Sequence, residues 1–275
     1  MAPTTIPRFA LRGGMSHIHS SDLVVRGYEC GSDRVVGLPR ILSYFEHCRW
    51  QWILRPELGL VDGLHSGHFF VVHRQTVART RTFGIDTRCT VRAALRKVGR
   101  VQCDVEQDLI RDDGVLLAKA HIVAIWLGPG GRMARVPNLT RTAVTDEPLP
   151  FERGVAKGGM ADSFLAPDEH EEPLVLERLV QRDVPDRATR TPLRARPSDC
   201  DMFGHVNGSN YVRYAEDALF SAQRLDVEYR GQAVANDALT VRTWTPDAPT
   251  AEGQRAFALQ RGDETLCRAV LTPPL

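Results

Sequence analysis

Residues 88 to 110 alternate between apolar and polar side chains. In RCTVRAALR (88–96), Cys89, Val91, Ala93 and Leu95 interleave with Arg88, Thr90, Arg92 and Arg96. In VQCDVEQDLI (101–110), Val101, Cys103 and Val105 interleave with Gln102, Asp104 and Glu106. A period of two sends successive side chains to opposite faces, so each run predicts a strand with one buried and one wet face. Val98-Gly99 lies between the runs and predicts a hairpin that sets a basic outer row beside an acidic one. Opposite-charge neighbours add only about a few tenths of a kcal/mol each, but they help fix register. A chain with this segment must build an antiparallel sheet and find something apolar to cover it.

The flanking sequence supplies the cover. Ile41 opens a helical run with apolar residues at Leu42, Phe45, Trp52 and Ile53. Pro39 suits its first turn, where a missing N–H costs nothing, and Pro56 and Gly59 end it. SDLVVRGYEC (21–30) before the helix reads as a strand. HFFVVHRQTVART (68–80) follows as another, and VLLAKAHIVAIWLG (115–128) completes the set after a turn at Asp112-Asp113-Gly114. The unit is a strand, a long helix and a four-stranded antiparallel meander.

From 129 to 187 the composition shifts to turn formers and charge (GPGGR, EPLPFERG, KGGM, APDEHEEP), which predicts a linker able to hold short helices. So long a stretch without elements is unusual inside one compact domain. The order of elements then repeats. TRTPLRARP (189–197) reads as a strand, SNYVRYAEDALFSAQ (209–223) as a helix, and LDVEYRG, ALTVRTW, RAFALQRG and TLCRAVL as further strands. Laying Tyr44-Phe45-Glu46 on Tyr214-Ala215-Glu216, an offset of 170, also matches Cys30 with Cys200 and Val36 with Val206. The expected organisation is a loose N-terminus (1–20), a first unit (21–128), the linker (129–187) and a second unit (188–275). Each unit is α+β, a curved antiparallel sheet wrapped around one long apolar helix.

A formal charge of +1 argues against binding nucleic acid by charge alone. Arginine outnumbers lysine 32 to 3, which fits coding bias better than an RNA-binding surface. No run is apolar and long enough for a membrane span, and MAPTTIPRFALRGG lacks the apolar core of a secretory signal. Cysteines 30, 48, 89, 103, 200 and 267 are scattered without a CxxC pair, the pattern of buried free thiols in a reducing cytoplasm. Nothing in the spacing calls for a metal or a cofactor. Pairing of two chains into a homodimer is left open.

The chemistry concentrates in DCDMFGHVNGSNYVRYAED (199–217). Asn207 and Ser209 are good N-cap types, so free backbone N–H groups should point out of the helix that follows. With Gly204 and Gly208 nearby, a ligand oxygen can approach those donors and the positive end of the dipole. That is what an oxyanion site requires. Asp201 is placed to activate water as a general base or to attack a carbonyl itself. His205, four residues on, is placed to orient water or substrate. Asp199 reads as a structural or solvated acid. Glu216 reads either as a partner for the loop or as part of a solvated helix face. Trp50, Trp52 and Tyr44 read as core, and arginines 74, 79, 81, 88, 92 and 96 as a solvated sheet face in preference to a surface for an acidic carrier protein or a CoA phosphate.

RPSDCDMFGHVNGSNYVRYAEDA resembles the active-site segment of hotdog-fold thioesterases of the 4-hydroxybenzoyl-CoA thioesterase type, a DxDxxGHVNN-like loop ahead of an aromatic helix. Residues 21 to 272 as a whole resemble the double-hotdog acyl-ACP thioesterases of plants and bacteria. Tyr28-Glu29, the strand Phe70-Val71-Val72-His73-Arg74 and EYRG (228–231) match segments of that family. The resemblance implies two tandem hotdog folds and hydrolysis of an acyl-ACP or acyl-CoA thioester in fatty acid biosynthesis or lipid metabolism. It assigns catalysis to Asp201, His205 and Asn207. Phe203, Gly204, Gly208 and Ser209 would then meet the substrate, with Phe70, Val72 and His73 on the opposing wall within Phe69–His73. The chain departs from the plant pattern. Phe203 stands where those enzymes have asparagine, and Gln232 and Ala233 where they have glutamate and cysteine, so the sequence fits a simpler bacterial pattern of one aspartate and a helix N-terminus.

At the same offset Gly31, Val35 and Gly37 face Asp201, His205 and Asn207, so one active site per chain is expected, the first unit serving as pocket wall. Two other functions compete. A double-hotdog hydratase or dehydratase uses an Asp-x-Asn-x-x-His loop, whereas His205 follows Asp201 by four residues and the asparagine is missing. A non-catalytic acyl-thioester binder would retain its ligand without releasing thiol.

Overall fold

The computed structural model describes residues 17–147, 149, 183–247 and 252–274. Most of the expected loose N-terminus, and residues 151–182 of the expected linker, lie outside these. The first half holds β1 (Ile18–Val24), α1 (Leu38–Ile53), a short α2 (Val61–His65), β2 (Phe69–Arg79), β3 (Arg88–Val98), β4 (Gln102–Arg111) and β5 (Leu116–Leu127). The second holds β6 (Thr189–Arg194), α3 (Gly208–Ala218), β7 (Arg224–Tyr229), β8 (Ala238–Trp244), β9 (Arg255–Arg261) and β10 (Glu264–Thr272).

Among the described residues, all ten strands join one antiparallel sheet in the order β1-β3-β4-β5-β2-β7-β10-β9-β8-β6. The last five strands repeat the order of the first five in mirror sequence. The halves meet at β2 and β7, paired from Arg74↔Glu228 to Ala78↔Arg224.

The β3–β4 hairpin forms in the expected register, with Arg92 opposite Asp108 and Lys97 opposite Asp104. Arg92 grips Asp108 with two bonds of 2.8 and 2.6 Å, and Arg96, at a bulge, reaches Glu106 at 2.6 Å. Cys89, Val91, Ala93, Cys103 and Val105 are buried as the alternation required. The covering helix begins at Leu38 instead of Ile41, with Gly37 as N-cap and Pro39 in the first turn. Its buried residues Leu38, Ile41, Leu42, Phe45, Cys48 and Trp52 recur at helical spacing and fill the concave face of the first half.

The 170-residue offset is visible in bonds as well as letters. Glu29 accepts from Arg26 N–H (2.8 Å) and the Tyr44 hydroxyl (2.9 Å). Asp199 accepts from Arg196 N–H (2.9 Å) and the Tyr214 hydroxyl (2.5 Å). Cys30 and Cys200 each place their sulfur 3.9 Å from the carbonyl of Arg26 and Arg196.

Four details differ from expectation. The strands after α1 are not a simple four-stranded meander, since β2 pairs with β5 and β7, and β3 with β1 and β4. The first strand stops at Val24, and Gly27–Glu29 is a 3-10 turn locked by the Arg26–Glu29 bond. Helix α3 ends at Ala218, short of Gln223, because Glu216 accepts the Ala222 N–H (2.9 Å) and turns the chain. Residues just past 128 pack onto the first half. The Thr140 hydroxyl donates to Leu58 O, and Arg141 donates to Val98 O and Gly99 O. All six cysteines are unpaired, and burial pushes the thiols of Cys48, Cys89, Cys103 and Cys267 up to about 12. Among the described residues, no helix is long and apolar enough to cross a membrane.

Candidate active site

The loop before α3 is anchored by Asp199. Its carboxylate, 2 % exposed, accepts from Arg213 (2.6 Å), Tyr214 and Arg196 N–H, and its carbonyl accepts from Asn207 N–H (2.9 Å) and Asn210 Nδ2 (2.7 Å). Desolvation pushes this carboxyl up, but the donors of Tyr214, Arg196 and Arg213 outweigh it and hold the group below the usual carboxylate range. Asp199 therefore builds the loop, in keeping with its structural reading.

Asp201 closes a tight turn. Its N–H donates to His205 O (2.8 Å), its carbonyl accepts from Gly204 N–H (3.1 Å), and its Oδ1 accepts from the N–H groups of Phe203 (2.9 Å) and His205 (3.3 Å). Gly204 takes φ +82°, a conformation open to glycine at little cost. Oδ2 of Asp201 has no partner among the described residues, and the side chain lines a cavity of ≈ 1020 Å³. His205 lines the same cavity, its backbone bridged to Val234.

Asn207 is the N-cap of α3. Its Oδ1 accepts from Ser209 N–H (2.9 Å) and Ser209 Oγ (2.7 Å), while Nδ2 donates to both carboxylate oxygens of Glu46 on α1 (3.1 and 2.8 Å). Both ends of its amide are thus engaged, as a cap and as a tie between the halves. With Ser209 N–H capped, Gly208 N–H is left facing out of the helix without a partner among the described residues. Gly208 also admits Tyr229, whose hydroxyl donates to Gly208 O at 3.3 Å; a Cβ at Gly208 would sit 3.4 Å from the Tyr229 hydroxyl oxygen.

Phe69, Phe70, Val71, Val72 and His73 of β2 all line the cavity. A bulge between Val72 and Arg74 re-aims His73, whose Nδ1 lies 3.2 Å from Tyr229 O and Nε2 3.7 Å from Glu228. Phe70 packs on Trp126 at 4.6 Å. Phe203, half exposed, stacks between Trp50 (5.9 Å) and Phe69 (6.4 Å) over the loop. Trp50, expected in the core, belongs to this aromatic rim. The deeper wall is apolar, with Leu42, Ile53, Leu60, Leu95, Val105 and Ile122. The size suits a small organic ligand with a long apolar part.

The structure brings every anticipated site residue except Gly204 to this cavity; Gly204 instead shapes the Asp201 turn through its positive φ. It adds Glu46, Arg49 and Trp50, which sequence reasoning missed. A signal for Glu46 existed, since the offset pairs it with Glu216, and in a two-fold arrangement each helix carboxylate faces the other half's helix start. Glu216 faces Gly37 at the start of α1, 3.5 Å from where a Cβ would stand, and not its own loop. Arg79, read as a solvated arginine, is 7 % exposed and donates to Val36 O at 3.0 Å. Cys200 stays outside the cavity lining and Gln232 lies within it.

No protein-family model matches the chain, and no curated protein matches it in sequence. Among solved structures it is similar to an acyl-ACP thioesterase from Bacteroides thetaiotaomicron VPI-5482, with TM-score 0.72 and 16% identity over 94% of this chain and 99% of that one. It is also similar to the 12:0-ACP thioesterase from Umbellularia californica, with TM-score 0.70 and 17% identity over 96% of this chain and 98% of the other. At such identities the likeness establishes the fold. The chain is an α+β protein of the hotdog type, as the loop motif implied.

Proposed function

We propose that the chain is an acyl thioesterase built from two tandem hotdog units, about 21–128 and 188–275, with one active site at the start of α3. The observation that carries this reading is a junction of three features in one cavity. A carboxylate with a free oxygen (Asp201) and a helix start with a free N–H (Gly208) both open onto a long apolar chamber walled by the other half. The names of the two structural relatives add weight, since both act on acyl-ACP thioesters.

In this mechanism the acyl chain enters the chamber between α1 and the sheet, and the thioester carbonyl oxygen meets Gly208 N–H. Asp201 Oδ2 takes a proton from water as the water oxygen bonds to the carbonyl carbon. The charge that develops on the carbonyl oxygen is stabilised by the fixed N–H and the helix dipole. Collapse of the tetrahedral adduct breaks the C–S bond, and the leaving thiolate takes the proton from Asp201 Oδ2, so that a carboxylic acid and a free thiol leave and the carboxylate is restored. His205 orients the water, and Asn207 keeps the helix start in place. The carrier is acyl carrier protein or CoA, and the setting is cytoplasmic.

Asp201→Asn tests this directly. It keeps the Oδ1 acceptor for the loop amides but cannot take the proton, so acyl-CoA and acyl-ACP should release thiol at least about a hundredfold more slowly with an unchanged circular dichroism spectrum. Undiminished release would reject Asp201 as the base. A second reading, acyl-thioester binding without turnover, is favoured by one observation: Oδ1 of Asp201 is already committed to two loop N–H groups, as in a purely structural turn. It predicts tight retention of acyl-CoA and no thiol release by the wild type.

A further inference from the structure

Beyond the loop, the cavity wall carries two long polar side chains with unpaired donors. Arg49 lies on α1 one turn after Glu46. Its Nη1 donates to Gln107 Oε1 at 2.6 Å. Gln107 is 1 % exposed and fixed by its own bond to Phe45 O (3.0 Å), so it presents that oxygen and steers the guanidinium. Nε and Nη2 of Arg49 have no partner among the described residues, and no carboxylate there forms an ion pair with it. Glu46, its nearest acid along the helix, is held by Asn207. Burial draws this guanidinium below its ordinary range. Gln75, on β2, is 5 % exposed, and its Nε2 has no hydrogen-bond partner.

Both residues line the same chamber. In the sheet, Gln75 stands in the row Gln75–Ile122–Val105, directly beside the row Val77–Ala120–Gln107 that positions Arg49. Thr140, another polar residue of the wall, already donates to Leu58 O. Buried donors without acceptors are rare in folded proteins because desolvation is not repaid. Gln75 Nε2 is such a group, and together with the half-buried, partly paired guanidinium of Arg49 on the same cavity it points to an acceptor that arrives with the ligand.

We infer that Arg49 and Gln75 form an oxygen-recognition subsite, and that the acyl group carries an acceptor oxygen (keto, hydroxyl or carboxylate) on its first carbons beyond the thioester carbonyl. The place along the chain follows from α1. Glu46 marks the start of α3 through Asn207, and Arg49 lies three residues further on, a rise of about 4.5 Å. The inference rests on the thioesterase reading of this cavity.

The test compares CoA thioesters of one chain length bearing no substituent, a 3-oxo group, a 3-hydroxyl or a 2-carboxylate. The wild type should favour one oxygenated series by at least about tenfold in kcat/KM, and that ratio should collapse in Arg49→Met and in Gln75→Leu. Equal losses on all substrates, or no preference in the wild type, would overturn the inference, and the favoured series identifies the oxygen. Non-hydrolysable thioether analogues, titrated by calorimetry, separate the two readings. Absence of thiol release counts against the thioesterase. Discrimination among the analogues that the wild type shows and both folded variants lose still supports the subsite, and equal binding by all removes it.

Discussion

Asn207 and Glu46, 161 positions apart, share two hydrogen bonds of 3.1 and 2.8 Å between the cap of α3 and the middle of α1. The same asparagine caps α3 through Ser209. One side chain therefore fixes the helix start, and with it Gly208 N–H, relative to the other half.

Breaking this tie should cost both stability and turnover. Glu46→Ala leaves Asn207 Nδ2 without its charged acceptor and should destabilise by about 1–3 kcal/mol, with Glu46→Gln losing less. In a double-mutant cycle with Asn207→Ala, urea unfolding should show a coupling of about 0.5 kcal/mol or more. Strict additivity would mean that the two residues act independently.

Asp199 should matter for the fold and, through it, for the site. Asp199→Asn loses the charged bonds to Arg213 and Tyr214, an expected cost of about 1–3 kcal/mol, moderated because Arg213 is partly exposed and remains solvated. Because the folded carboxyl sits below its ordinary value, its contribution is present above the unfolded pKa and is lost as pH falls through the folded one. The gap between wild type and variant in unfolding free energy should hold from pH 5 to 8 and close only in strong acid.

Two buried groups should give opposite pH slopes. Burial and the Arg55 charge lower His19 from 6.5 to about 4, so the unfolded chain binds a proton that the folded chain refuses, and stability is lost as pH falls across that window. Burial raises Glu216 from 4.5 to about 7, so its contribution is full below 4.5 and is lost as pH rises to 7. The slopes offset one another between about 4.5 and 6.5. His19→Phe should leave a stability that declines with rising pH, and Glu216→Gln one that increases, each by up to about 2–3 kcal/mol. Urea titrations at several pH values check this, and profiles parallel to wild type would refute it.

Gly204→Ala tests the rigidity of the Asp201 turn. No neighbour crowds a Cβ there, so the effect is backbone strain alone, about 1 kcal/mol. The melting temperature should drop modestly, and kcat should fall more than KM changes, as Asp201 shifts from the carbonyl. An unaffected kcat would show that the turn does not set the base.

The sheet was legible because its signals are local. Alternation announced the β3–β4 hairpin and the charged rows it sets side by side, but not that Asp108, opposite Arg92, would be buried. The first strand and α3 were misjudged at their ends, where Glu29 and Glu216 bend the chain by bonds to Arg26 N–H and Ala222 N–H that no propensity encodes. That Asp201, His205 and Asn207 line one cavity was legible because they share one short stretch. Glu46, Arg49 and Trp50 could not, because their role exists only once α1 is laid beside α3.

The recurrence of one bonding pattern at two places in a single chain has an implication for how such a protein changes over time. Were the halves separate and identical, any substitution would strike both helix starts at once. Joined in one polypeptide, they drift apart freely. Here Gly37 stands at the position of the capping Asn207, Glu216 meets the start of α1 with no cap amide to hold, and the proposed site falls to the half that carries Asp201.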